Sequence, residues 1–289
     1  MTTNTKLILS SNNQNLEIDL SRGGAITHLT LFSNGKSRKV ICPKKGYDNE
    51  SSLLFPFPNR LANGQFSFQG IDYQFPLNDY GRPNALHGFV KDMPFQVLQQ
   101  MPDAITLQCT YTGDLEYYPF PFRMALTYHL RPGELHVYLE IENTGATTLP
   151  CGFGWHPYFH LEEGADSTSI ELKNVSKIGV ENLLPTGRAT PYRLLDNGCL
   201  IEELDLDTCF EFSKKGVVNG AKIHYPDDAT LEVWQDENQP YVQLYTPEDR
   251  RAIAIEPMTC NIDALNNQAG LKLLSSGESW SIEYGVRLY

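Results

Sequence analysis

Residues 124–145, MALTYHLRPGELHVYLEIENTG, contain two segments in which apolar and polar side chains alternate. In the first segment the apolar positions are Leu126, Tyr128 and Leu130, and in the second the same alternation runs from Leu135 to Ile141. The intervening Arg-Pro-Gly-Glu favours a chain reversal, because proline and glycine suit the two central positions of a tight turn. Successive side chains of a strand point to opposite faces, so this period of two predicts an antiparallel hairpin with one buried face.

The same period of two recurs along most of the chain. FSFQGIDYQF (66–75) predicts a second hairpin around a Gln-Gly turn. Further strands are predicted at LEIDL (16–20), TLEVW (230–234), VQLYT (242–246), AIAIE (252–256) and WSIEYGVRL (280–288). Helical periodicity is nearly absent, and 261–269 is the main short candidate for a helix. With no repeat and no Ser/Gly linker, we predict one all-β domain over residues 1–289, a large antiparallel β-sandwich with very little helix.

Composition and charge narrow the class of ligand. The chain has 289 residues and a formal net charge of −12. This acidic balance argues against nucleic acid and anionic membranes as partners, since both are bound largely through phosphate neutralisation. We therefore expect a small neutral ligand.

Targeting signals and cysteine usage indicate a cellular compartment. The first residues carry no signal-peptide pattern, and no apolar run reaches the ~18–20 residues of a transmembrane helix. The six cysteines are widely spaced, which is typical of reduced, buried thiols rather than of a disulfide framework. We expect a cytoplasmic protein.

The segment CGFGWHPYFHL (151–161) contains two histidines four residues apart. His156 and His160 have a spacing that binds zinc on a helix, but Pro157 favours an extended backbone at His156. In a strand the two residues lie about 13 Å apart and cannot share one metal ion. We expect neither a metal nor a cofactor, and His156 is then either a buried core residue or part of a reactive site.

Other polar residues stand next to predicted strands. Asn59 and Arg60 follow two prolines in LLFPFPNRLANGQFSF, His87 lies in NALHGFV, Asp207 lies in DLDTCFEF, and Gln243 lies in VQLYT. Each also has a structural interpretation: a surface arginine, a core histidine or a turn-forming aspartate. Together these residue types suit hydrogen bonding to hydroxyl groups.

Glu256 closes the segment AIAIE. The alternation places Ile253 and Ile255 on one face and Ala252, Ala254 and Glu256 on the other. A carboxylate beside small alanines leaves room for a ligand, and burial would raise its pKa toward the range that suits a general base. An exposed glutamate at a strand end is the alternative. Since motifs for a serine nucleophile, a dinucleotide and a phosphate loop are absent, the set suits proton transfer on a polyhydroxylated neutral molecule.

Seven blocks of the sequence resemble the aldose 1-epimerase (galactose mutarotase-like) family over nearly the whole chain. In order they are PFPNRLANGQFSFQG, ALHGFV, GWHPYFHL, LDTCF, LEVWQDENQPYVQLYTP, AIAIEPMTCNIDALN and LSSGESWSIEYGVRL. The resemblance implies a β-supersandwich fold, with Glu256 as catalytic base and His156 as catalytic acid. It also implies that the substrate is held by Asn59, Arg60, His87, Asp207 and Gln243.

The implied activity is interconversion of the α and β anomers of a free aldose. It requires an ionised Glu256 and a protonated His156, with a monosaccharide as the only partner. Two departures, LHGFV and GWHPYF, affect the choice of sugar more than the reaction. The alternatives are a non-catalytic sugar-binding protein, a secreted carbohydrate-binding module or lyase, and a hexose-6-phosphate 1-epimerase, for which the adjacent Arg250 and Arg251 would have to bind phosphate. Trp155, Tyr158 or Trp234 could stack on a pyranose.

Overall fold

The computed structural model describes residues 5–42, 50–214 and 216–289. The strands of the N-terminal third are β1 (Lys6–Ser11), β2 (Gln14–Asp19), β3 (Ala25–Ser33), β4 (Lys36–Ile41), β5 (Ser52–Leu54), β6 (Arg60–Ala62), β7 (Gln65–Phe68), β8 (Ile71–Gln74) and β9 (Asn84–Leu86). The next are β10 (Gln96–Gln100), β11 (Ala104–Tyr111), β12 (Phe122–Arg131), β13 (Glu134–Asn143), β14 (Leu149–Cys151), β15 (Gly154–His156), β16 (Tyr158–His160), β17 (Ser169–Leu172) and β18 (Val175–Glu181). The last are β19 (Leu184–Tyr192), β20 (Cys199–Leu200), β21 (Asp207–Phe212), β22 (Asn219–His224), β23 (Thr230–Gln235), β24 (Tyr241–Tyr245), β25 (Ala252–Met258), β26 (Lys272–Leu274) and β27 (Ser279–Leu288).

Helical segments are short in the described residues. They are α1 (Ala264–Asn267), inside the predicted segment 261–269, and the 3₁₀ turns Val90–Asp92 and Ile201–Glu203. In this part of the chain, no helix has the length and apolar character needed to cross a bilayer.

Two large sheets form the body of the molecule. One has nine strands in the order β10-β11-β12-β13-β27-β23-β22-β17-β20, and the other has the order β19-β18-β21-β24-β25-β15-β5 with β16 also paired to β25. A four-stranded sheet β1-β2-β3-β4 and three two-stranded sheets complete the fold. The pairings between these strands are antiparallel, as in the pairs β12–β13 and β24–β25. The predicted all-β antiparallel sandwich is confirmed.

The hairpin at 124–145 lies in the middle of the nine-stranded sheet. Arg131 pairs with Glu134 across the turn, and Gly133 has a φ of 72°, a left-handed conformation that glycine adopts without strain. Its second strand, β13, also pairs with β27 along most of its length. Both strands therefore bury one face, which explains the regular alternation in their sequence.

The core lies between the two large sheets. Tyr284 of β27 packs against Trp155 of β15 with ring centroids 5.2 Å apart, and it also contacts Phe153. All three rings are fully buried, and each large apolar side chain buried in this way contributes about 1.5–3 kcal/mol. Trp155 is thus a core residue that joins the sheets.

Strand β25 presents two different faces, as its alternation predicts. Ile253 and Ile255 belong to the main core, whereas Ala252 and Ala254 pack with Tyr158 in a separate small cluster on the other side. The face that carries Glu256 therefore points away from the core.

The predicted end of β25 at Glu256 is wrong, because the strand continues to Met258. Proline lacks the N–H that a strand ladder needs, yet Pro257 lies inside the strand. On the side of β25 that faces β15 and β16, the strand pairing has a gap at Pro257. Gly154 pairs with Met258 on one side of the gap, and Tyr158 pairs with Ala254 on the other. The interruption removes the need for a donor at Pro257.

Candidate active site

A cleft of about 930 Å³ opens over the outer face of the eight-stranded sheet. Its lining includes all seven side chains that the sequence singles out, namely Asn59, Arg60, His87, His156, Asp207, Gln243 and Glu256. His160, the second histidine of the HPYFH segment, is not part of the lining. The structure therefore brings together residues that are up to 197 positions apart in the chain, from Asn59 to Glu256.

Strand register places three of these side chains in one row. Gln243 of β24 lies directly opposite Glu256 of β25. On the other side of β25, the two pairs that flank the interruption place His156 across from Glu256. Residues opposite each other on neighbouring strands share a face, so the three side chains project together into the cleft. The Nε2 atom of His156 lies 3.5 Å from Oε1 of Glu256.

The small sheet β6–β9 brings Asn59 and His87 into the buried lining of the cleft. The backbone N–H of His87 donates to the carbonyl of Asn59 over 2.9 Å, and the N–H of Asn59 donates to Nδ1 of His87 over 3.1 Å. Because Nδ1 accepts a hydrogen bond, neutral His87 carries its proton on Nε2, and that atom is a donor. Burial, together with the nearby His156, Arg60 and Lys91, keeps the pKa of His87 well below its usual range.

Gly88 allows this arrangement. Its φ is 61°, and a Cβ atom at this position would lie 2.1 Å from the carbonyl oxygen of Phe55. Only glycine fits so close to another backbone, so the chain can turn sharply after His87.

Arg60 is held by a residue that the sequence analysis did not identify. Its Nε lies 3.0 Å from Oδ2 of Asp79, and its Nη1 donates to Oδ1 of Asn59 over 3.1 Å. Burial acts to raise the pKa of Asp79, but hydrogen bonds from Asn84 and Arg60 and the arginine charge outweigh it and keep the pKa low. Asp79 lies 19 residues from Arg60, and no local pattern connects them, so only the folded chain reveals the pair.

Asp207 and Gln243 form a polar pair beside Glu256. Gln243 donates from Nε2 to Oδ1 of Asp207 over 2.6 Å. Among the described residues, Oε1 of Gln243 and Oε2 of Glu256 are buried without a hydrogen-bond partner. A buried polar atom without a partner costs about 1–3 kcal/mol, so these atoms favour a ligand that brings hydroxyl groups.

Burial changes the protonation of the central pair. It raises the pKa of Glu256 well above its usual range, and the Asp207 charge adds to this effect against the smaller opposing effect of Arg60. It lowers the pKa of His156 to about 4. The raised pKa of Glu256 is in the direction expected for a buried general base. The lowered pKa of His156 runs against the expected imidazolium, because burial disfavours its charged form.

The cleft also contains aromatic side chains. Of the three rings named as stacking candidates, Tyr158 lines the cleft. Trp155 lies in the core, and Trp234 stacks on His136 outside the cleft. Tyr80 and Tyr245, which the sequence analysis did not identify, line it as well. In the described residues, no group of three or more His, Cys, Asp or Glu side chains is arranged to hold a metal ion.

The fold, a large antiparallel β-sandwich, is that of galactose mutarotase-like proteins. The crystal structure of one such protein from Clostridium acetobutylicum is similar with a TM-score of 0.88, at 21% identity over 98% of this chain and 95% of that chain. A putative aldose 1-epimerase from Escherichia coli K12 gives a TM-score of 0.81, at 23% identity over 99% of each chain.

The sequence defines the family itself. The chain belongs to the aldose 1-epimerase family, whose model matches residues 6–287. It is 27% identical over 252 residues to the uncharacterised protein YihR of Escherichia coli K12, covering 81% of this chain and 77% of YihR. It is also 27% identical over 270 residues to the galactose mutarotase of Rattus norvegicus, covering 83% of this chain and 77% of that protein.

Proposed function

We propose that the protein is an aldose 1-epimerase that interconverts the α and β anomers of a free aldose. The observation that carries this proposal is the 3.5 Å contact between His156 Nε2 and Glu256 Oε1 at the floor of the cleft. A sugar-binding protein without catalytic activity does not need two buried proton-transfer groups side by side.

The reaction needs two proton transfers at neighbouring atoms. To open the ring, the C1 hydroxyl loses a proton and the ring oxygen gains one. Both oxygens are bonded to C1, so two groups in contact with each other can each reach one of them. Glu256 takes the hydroxyl proton and His156 donates to the ring oxygen. After rotation about the C1–C2 bond, the same transfers in reverse close the ring as the other anomer.

A pair that is neutral before the reaction, with the shared proton on Glu256, would be compatible with this scheme. Passing the proton from Glu256 to His156 across their contact produces the carboxylate and the imidazolium without changing the net charge of the site. General acid–base catalysis contributes about 10²–10⁴-fold per group, and no covalent intermediate, metal or cofactor is required by these steps.

The other cleft residues hold the sugar. The guanidinium of Arg60 and the Nε2–H of His87 are donors, while Asp207 accepts and the amide of Gln243 can do both. Their fixed geometry orients C1 toward the pair, which supplies part of the rate acceleration.

Charge pairing around the cleft favours a free sugar over a sugar phosphate. Arg60 and Arg82 both lie within ion-pair distance of Asp79, at 3.0 and 3.5 Å, and Lys91 lies 2.7 Å from Asp92. Each of these cations thus contacts a carboxylate, and the whole lining holds five carboxyl groups against three cations. Arg250 donates to the carbonyls of Thr246 and Pro247, and neither it nor its neighbour at 251 lines the cleft.

Anomer exchange measured by NMR and polarimetry on a panel of aldoses and their 6-phosphates tests the proposal. We expect faster exchange than in buffer for at least one free aldose. Binding of sugars with no acceleration on any of them would identify a non-catalytic sugar-binding protein. A preference for a 6-phosphate over its free sugar would identify a phosphosugar epimerase instead.

A further inference from the structure

The cleft is larger than the reaction requires. Its volume of about 930 Å³ is near the upper end of the range for small-molecule sites, about 300–1,000 Å³. The reactive pair lies at the floor, where Glu256 is 2% exposed and His156 is 7% exposed. A single pyranose ring with C1 at the pair therefore leaves the mouth of the cleft unoccupied.

Tyr80 stands at this mouth, and its side chain is 99% exposed. An aromatic ring held fully in water contributes nothing to the packing of the protein. Aromatic faces are the surfaces on which the apolar faces of sugar rings stack, so the exposed ring offers a binding platform.

The loop that carries Tyr80 is held in place on both sides. The Asn78 side-chain amide donates to the carbonyl of Leu86, and the N–H of Leu86 donates to Oδ1 of Asn78. The N–H of Asp79 donates to the carbonyl of Asn84, and the N–H of Arg82 donates to the carbonyl of Asp79. These bonds flank Tyr80 directly, so the ring is presented by a preorganised loop, which lowers the entropic cost of binding.

Other residues of the lining have both apolar and polar character. Tyr245 and Pro247 supply apolar surface, and Glu248 supplies a hydrogen-bond acceptor. Since the lining holds more carboxyl groups than cations, five against three, this outer compartment suits a neutral hydroxylated group rather than an anion.

We propose that the mouth of the cleft is a second sugar subsite, with Tyr80 as its stacking platform. The substrates are then reducing disaccharides or longer oligosaccharides, with the reducing-end ring at Glu256 and His156 and the next ring on Tyr80. This inference rests on the proposed function for its reaction, but the subsite is also a binding claim that can be measured alone.

The test compares kcat/KM for anomer exchange of glucose with that of cellobiose, maltose and lactose, which all end in a reducing glucose unit. We expect at least one disaccharide to match or exceed glucose in the wild-type protein. Tyr80→Ala should lower kcat/KM for that disaccharide about fivefold to tenfold more than for glucose, whereas Tyr80→Phe should retain the wild-type ratio. Leu77→Ala is the control, because Leu77 is a half-exposed apolar residue of the same loop that does not line the cleft.

Three results would overturn the subsite. They are glucose exchange that greatly exceeds that of every disaccharide, an equal loss for both substrates in Tyr80→Ala, or a preference for glucose 6-phosphate over the disaccharides. If no free aldose is isomerised, the proposed function fails, and calorimetry then tests the subsite with methyl cellobioside against methyl glucoside. Tighter binding of methyl cellobioside than of methyl glucoside supports the subsite if Tyr80→Ala abolishes the difference. Equal affinities for the two glycosides would overturn the subsite.

Discussion

The imidazole of His156 and the carboxyl of Glu256 meet 3.5 Å apart on strands that are separated by about 100 residues of chain. Both groups are buried, and desolvation acts on both in the direction of the neutral form. Groups in such close contact titrate as a pair, so each pKa measured for the site belongs to the pair and not to one residue.

Replacing Glu256 by glutamine removes the proton acceptor and keeps the side-chain shape. We expect Glu256→Gln to lower kcat for anomer exchange about 10²–10⁴-fold, with sugar affinity changed much less. Polarimetry gives the rate and calorimetry the affinity.

The surface of the protein provides a matched control. Glu283 contacts His136 over 2.8 Å on the outer face of β27, so Glu283→Gln breaks a similar pair far from the cleft. This variant should keep wild-type exchange. Wild-type exchange in Glu256→Gln itself would exclude Glu256 as the base.

The pH dependence of kcat/KM should show no limb near pH 6.5, the ordinary pKa of histidine. Burial lowers the pKa of His156 to about 4, so the pair gains a second proton only in that region, and burial moves the alkaline limb above the usual range of a carboxyl. Initial rates of NMR exchange should therefore fall on the acid side only as the pH approaches about 4. An acid limb near pH 6.5 instead would mean that burial does not lower the pKa of His156.

Acid should destabilise the protein partly through His156. Between pH 6.5 and about 4 the unfolded chain binds a proton that the folded His156 does not, so stability falls as the pH falls through this window. Glu256 acts oppositely, since its raised pKa gives stability that is lost as the pH rises. Urea unfolding at pH 7 and 5 should show a smaller loss in His156→Gln than in the wild type. An equal loss in the two proteins would contradict the prediction.

Asp79 should affect substrate binding through Arg60. Asp79→Asn removes the charge that holds the guanidinium, so we expect KM to rise about tenfold while kcat changes less than about threefold. The exposed Asp72→Asn in β8 serves as a control for the general loss of a carboxylate. A fall in kcat with unchanged KM would show that Asp79 does not act by positioning Arg60.

Gly88 should be intolerant of a side chain. Gly88→Ala combines a positive φ with a Cβ 2.1 Å from the Phe55 carbonyl, whereas Gly35→Ala has a φ of 77° and no neighbour within 4 Å. We expect Gly88→Ala to lower the free energy of unfolding by about 2 kcal/mol more than Gly35→Ala, as measured in urea. Equal losses of unfolding free energy in the two variants would mean that the backbone at Phe55 can move away from the new Cβ atom at little cost.

Local sequence patterns were sufficient to predict several strands of the two large sheets, among them β12, β13, β25 and β27. An alternation such as that of residues 124–145 indicates which side chains face the core, because one face of the strand packs against the core and the other faces water. The same rule separated Ile253 and Ile255 from the face of Glu256. The seven candidate residues were found by type and by family resemblance, and they do line one cleft.

Other features depend on contacts between distant parts of the chain. The continuation of β25 through Pro257 follows from a gap in the neighbouring ladder, and the clamp on Arg60 comes from the loop that carries Asp79. The lowered pKa of His156 was not expected, because the degree of burial is a property of the assembled cleft and not of either segment. Periodicity is a local consequence of backbone geometry, whereas desolvation and pairing depend on which strands come together, and only the tertiary structure decides that.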